Sequence, residues 1–112
     1  MSHNQSKKVV VEWAPFELAE GVDEATLLAA SEVLQSEFVS QQSGFIKREL
    51  VKANDKKWVD LVYWNSLEEA EQAAKNVANS PVCLKYFELM VGADPDDPSA
   101  GVMHLEVIKT YS

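Results

Sequence analysis

The chain has 112 residues, 46% of them hydrophobic and 25% charged, and a formal net charge of −8. That length supports a core without disulfides or metals, and we expect one domain over residues 1–112. The acidic balance argues against nucleic acid, which needs a basic stripe, and against an anionic membrane surface.

Residues 1–7 are polar and expected to be flexible, and with no leader pattern among them a cytoplasmic location is expected. Cys83 is the only cysteine, so no intrachain disulfide forms. No stretch has the length of a transmembrane helix.

Lys8 to Ala14 alternates as a strand, and Pro15 is expected to end it. Asp23 caps a helix running to about Gln41, with Leu27, Ala30, Leu34 and Phe38 on its apolar stripe. Ser43-Gly44 stops that helix. Phe45 to Val51 alternates again, and Asn54-Asp55 turns the chain into a strand from Trp58 to Trp64. Ser66-Leu67-Glu68-Glu69 has the form of a capping box and opens a helix to Asn79. Ser80-Pro81 restarts it, with Cys83, Tyr86 and Phe87 directed to the core. The acidic stretch 92–101 reads as a loop, and Val102 to Thr110 as the last strand.

The order βαββαβ predicts an α+β, ferredoxin-like fold with a four-stranded antiparallel sheet, order 4-1-3-2, and helices on one face. The more apolar parity sets, Ile46/Leu50, Val59/Leu61/Tyr63 and Met103/Leu105/Val107, are expected to face the helices. Phe45, Lys47, Glu49, Trp58, Asp60, Val62, Trp64, His104, Glu106 and Ile108 then fall on the open face. So apolar a face calls for a cover, and a homodimer whose interface includes Trp58, Val62, Trp64, Phe45 and Ile108 supplies one.

Ser43-Gly44-Phe45, the junction Tyr63-Trp64-Asn65-Ser66, Ala70, and Ser80-Pro81 followed by Phe87 resemble the dimeric α/β-barrel superfamily, in particular its antibiotic-biosynthesis-monooxygenase-like domains. The resemblance spans about Val9 to Lys109. It implies a homodimer that binds a small aromatic or hydrophobic molecule. In some members it implies oxygenation of phenols or quinol-like compounds with neither metal nor flavin. Haem-degrading members need a ligand histidine where Phe87 stands, so haem degradation is not expected, and neither a cofactor nor a metal is implied.

His104, the only histidine beyond the N-terminal segment, is the candidate general base. Trp64, Tyr63, Tyr86, Glu106 and Asp60 are candidate ligand contacts. A second reading stands beside the enzymatic one: a non-catalytic dimer, either a ligand-binding or an assembly module. A structure with no cavity above ~300 Å³ and with His104 tied up between subunits would remove the catalytic reading.

Overall fold

Both strand–helix–strand units form in the computed structural model, which describes residues 8–92 and 101–112. β1 (Val10–Glu17) leads to α1 (Glu24–Glu37), and β2 (Phe45–Lys52) and β3 (Lys57–Trp64) make the central hairpin. α2 (Leu67–Val77), the short α3 (Pro81–Phe87) and β4 (Met103–Glu106) complete the order. Neighbouring strands are antiparallel in the spatial order β2-β3-β1-β4, the expected ferredoxin-like topology. The expected flexible start at 1–7 and most of the acidic loop, 93–100, lie outside the described residues. No helix among the described residues is long and apolar enough to cross a membrane.

Local chemistry sets the element ends. The Asp23 carboxylate accepts the Thr26 backbone N–H at 2.9 Å. Ser66 accepts the Glu69 N–H at 3.2 Å, and Ser80 accepts that of Cys83 at 3.2 Å. Glu69 closes the α2 cap by taking two hydroxyls, Ser66 at 3.1 Å and Ser43 at 2.9 Å. It thereby ties the start of β2 to the start of α2. Gly44 stands between them at φ +82, and a Cβ there would collide with the Glu69 side chain. The Asn54 side chain accepts the N–H groups of Lys56 and Lys57, which shapes the β2–β3 turn.

On β2, Leu50 packs on the core and Lys47 and Glu49 lie outside, as expected, but the faces of β3 and β4 are the reverse of the expectation. Trp58, Asp60, Val62 and Trp64 are buried under the helices, while Val59, Leu61 and Tyr63 are only half-buried. Trp58 and Trp64 retain 5% and 3% of their exposure, so in this protomer they are core residues and not an open surface. Their cross-strand partners share that face: Val10 opposite Trp64, Glu12 opposite Val62, and Phe16 opposite Trp58. The assignment by apolarity failed because the inner face carries the charged side chains Arg48, Asp60 and Glu12, which find partners there.

Two irregularities complete the correction. A bulge between Phe45 and Lys47 leaves Ile46 exposed, with Phe45 packed on the core and Arg48 turned inward. β4 has four residues, fewer than expected, and directs His104 inward while Met103 and Leu105 face out. Ile108 lies beyond β4 and is 72% exposed. β1 continues through Pro15 to Glu17 because β4 pairs only with Val10–Trp13, so no β4 ladder remains there for proline to interrupt. α1 ends at Glu37, and one 3₁₀ turn, Val39–Gln41, fills the rest of the predicted helix.

Trp58→Ala removes a buried indole and should cost about 3–5 kcal/mol in urea unfolding. A loss below about 1 kcal/mol, the scale of a surface change, would mean that Trp58 is not in the core.

Candidate functional site

Register places one residue from each strand at a single level beneath the helices. Arg48 on β2 lies opposite Val62 on β3, which lies opposite Glu12 on β1, which lies opposite His104 on β4. With strands about 4.8 Å apart, the Arg48 and Glu12 backbones stand about 10 Å from each other with Val62 between them. A cation and a carboxylate thus flank an apolar floor.

At the β2 side, Arg48 Nε donates to Asp60 Oδ1 at 2.8 Å, and Tyr86 OH donates to Asp60 Oδ2 at 2.8 Å. Arg48 also donates to Tyr86 OH at 3.3 Å and to the Ser31 carbonyl at 3.2 Å. Both charged side chains are almost wholly buried, at 7% and 10% exposure. Burial pushes the Asp60 carboxyl pKa up, against the opposing pull of Arg48 and the Tyr86 hydroxyl. Burial, then the Asp60 charge, raises that of Tyr86 as well, so its phenol stays a donor. The cluster is an ion pair with each charge bonded more than once, the condition under which such burial is tolerated.

At the β1 side, Trp64 Nε1 donates to Glu12 Oε1 at 3.2 Å. His104 Nε2 lies 3.7 Å from the same oxygen, close enough for an ion pair but too far for a hydrogen bond. Nε2 is itself buried and has no hydrogen-bond partner. The Glu12 carboxylate raises the His104 pKa, and this outweighs the opposing effect of burial.

Between the sheet and the helices lies a cavity of about 210 Å³ whose walls include Arg48, Asp60 and Tyr86 as well as Glu12 and Trp64. Leu34 and Phe38 of the α1 side, Ala73 and Val77 of α2, and Cys83 and Phe87 of α3 close it with apolar surface. That volume is below the ~300 Å³ of a drug-sized pocket and limits an occupant to one small ring. An adjoining groove, lined by Glu71, Ala74, Lys75, Val102 and His104, shares Ala74 and Val102 with the cavity.

Of the residues expected at a site, Trp64, Tyr86 and Asp60 line the cavity together. Tyr63 does not: it lies on the outer face, where its hydroxyl donates to Glu49 at 3.4 Å and Lys47 stands 4.6 Å over its ring. Glu106 is exposed at the end of β4. His104 is in the groove and meets the cavity only through Glu12. Sequence reasoning missed Glu12 and Arg48. The available signal was a charged residue at the centre of an otherwise apolar strand, as in Val9-Val10-Val11-Glu12-Trp13. Cys83 is buried and its pKa is raised, first by that burial, which leaves it inert packing.

No family model and no curated protein matches the sequence. Solved structures do match. A candidate antibiotic biosynthesis monooxygenase from Caulobacter crescentus superposes with TM-score 0.64 at 10% identity, over 96% of this chain and 100% of that one. SnoaB, a cofactor-independent oxygenase from Streptomyces nogalater, gives 0.57 at 15% identity, over 94% and 96%. At these identities the likeness is one of fold. A third neighbour, a variant of MhuD with two manganese protoporphyrin IX per active site, gives 0.56 at 17% identity, over 92% and 98%. The cavity of this chain does not suit such a group, since its volume of about 210 Å³ suits one small ring.

Arg48→Met strands the Asp60 charge in the interior and should lower the unfolding free energy by about 3–5 kcal/mol at neutral pH. In that variant Asp60 binds a proton more tightly folded than unfolded, so the deficit narrows as pH falls. Urea unfolding of both proteins at neutral and mildly acid pH checks this. A deficit that widened on acidification would contradict the burial of Asp60.

Proposed function

We propose that this protein is a homodimer that binds a single-ring aromatic molecule in the sheet-to-helix cavity and oxygenates it without metal or flavin. The observation that carries this reading is the cavity itself: apolar walls, an apolar floor at Val62, and polar stations on both sides of that floor. An apolar cavity of ~150 Å³ is enough to take up benzene. About 210 Å³ therefore suits one substituted ring and excludes a fused polycycle. The fold shared with a cofactor-independent oxygenase adds support. Phenol oxygenation needs a site that accepts a proton and excludes water, and Glu12 with His104 behind it offers the acceptor.

The homodimer follows from the outer sheet face. Val11, Trp13, Val59, Leu61, Tyr63, Met103 and Leu105 all lie on it by register. Trp13, Met103 and Leu105 remain exposed in the protomer. Two copies packed sheet to sheet about a two-fold axis cover both faces at once. The interface is then the odd-numbered set of β3, in place of Trp58, Val62 and Trp64.

A second reading, a binding module without turnover, is favoured by one observation: the Arg48–Asp60–Tyr86 cluster is already satisfied internally.

Oxygen uptake against single-ring and fused-ring hydroquinones separates the readings. Saturable uptake with the former only is expected. Tight binding of a single ring with no oxygen consumed would leave the binding module. In sedimentation, Leu61→Glu should convert a dimer to monomer by placing a charge in the interface core, whereas a persistent dimer would remove the sheet-to-sheet arrangement.

A further inference from the structure

Two features of the Glu12–His104 pair are unexplained by packing. His104 Nε2 is buried without a hydrogen bond, and the Glu12 carboxylate oxygen that faces it lies at 3.7 Å, just beyond hydrogen-bond reach. An orphaned buried nitrogen is costly in a resting structure. A small approach of the two groups satisfies it with the proton on either side, since an imidazole N–H donates to a carboxylate and a carboxylic acid donates to a bare imidazole nitrogen. The second feature is position. Glu12 stands in the wall of the cavity, while His104 stands in the adjoining groove and not in that wall. Trp64 and His104 both engage Oε1, and no side chain among the described residues bonds to Oε2.

We propose that Glu12 is the catalytic residue that takes the proton from a phenolic ligand in the cavity, and that His104 is a positioning residue that receives the proton from Glu12 and passes it to solvent. This rests on the ligand-binding reading above and assigns the base to Glu12, not to His104. The ligand O–H bond breaks and a Glu12 Oε2–H bond forms, the electron pair staying on the ligand oxygen as a phenolate. A half-turn of the carboxyl group presents the proton to His104 Nε2. That O–H bond breaks, an N–H bond forms, and the Glu12 carboxylate is restored. The imidazolium then releases the proton to water along the groove. Trp64 Nε1–H holds the carboxylate in place throughout. Arg48 and Tyr86, across Val62, line the far side of the cavity with their hydrogen bonds directed to Asp60.

The direction of transfer depends on every charge around the pair. Glu71 and Lys75 of α2 face His104 in the groove, Asp60 and Arg48 face the cavity from β3 and β2, and Tyr86 and Cys83 face it from α3. The Glu12 carboxylate raises the His104 pKa and so stabilises the imidazolium beside it. Transfer to it stops when His104 is already protonated, at pH below its raised pKa.

The probe is 4-nitrophenol, a single ring whose phenolate has its own absorption band, with the His104 ring signals followed by NMR. Above the pKa of His104 in the free protein, binding to the wild type should give bound phenolate together with imidazolium signals from His104. Glu12→Gln keeps the size of the side chain and an acceptor for Trp64. It should bind 4-nitrophenol but lower the phenolate fraction by at least about tenfold, with His104 left neutral. His104→Gln keeps Glu12 in the wall and should also bind the ring as neutral phenol. Equal ionisation in the wild type and in Glu12→Gln would overturn the proposal alone, leaving the cavity as a binding site. Failure of the wild type to bind 4-nitrophenol would overturn both this proposal and the single-ring reading.

Discussion

The buried Arg48–Asp60 ion pair is the constraint from which the rest of the architecture follows. Two charges taken out of water must meet each other and further hydrogen-bond partners, and Ser31, Tyr86 and the pair itself meet that need only beneath the helices. Once Asp60 is inside, the two-residue period of a strand carries Trp58, Val62 and Trp64 inside with it. The same period puts Val59, Leu61 and Tyr63 outside. A cavity with polar stations and an apolar outer sheet face are thus two consequences of one pairing.

That pairing also explains the packing of α3 onto the sheet. Tyr86 is held at its hydroxyl by Asp60 and at its ring by the edge of Phe16, 6.3 Å between centroids. Arg48 reaches this cluster because the β2 bulge at Phe45–Lys47 resets the strand and turns it inward. Phe45 then packs edge-on against Trp64 at 6.1 Å, which steadies the indole whose nitrogen holds Glu12. The polar and aromatic contacts therefore stabilise one another, and the chemistry of the cavity is carried by residues that also hold the core together.

Element order, strand count and the helix starts were legible in the sequence. Capping residues such as Asp23, Ser66 and Ser80 act through bonds three residues away, so short-range pattern was sufficient to find them. Trp64, Tyr86 and Asp60 are candidate contacts by residue type, but apolarity alone sets Trp64 and Asp60 on the open face, away from Tyr86, and the fold brings all three to one cavity. The faces of β3 and β4 were not legible, although Leu50 of β2 does pack on the core as its pattern implied. Counting apolar residues assigns Val59, Leu61 and Tyr63 to the interior, and only the knowledge that Arg48 meets Asp60 reverses the choice. Tyr63 accordingly left the candidate site, and Glu12 entered it.

By itself, then, the sequence determined the topology: alternation, caps and turn residues are local signals, and two βαβ units of the usual hand have one sensible arrangement. Tertiary structure alone decided which side of the sheet is the interior. A strand with two largely apolar faces has no local preference between them, and here the choice rests on partners 12 and 26 residues away, Arg48 and Tyr86, that satisfy one buried carboxylate.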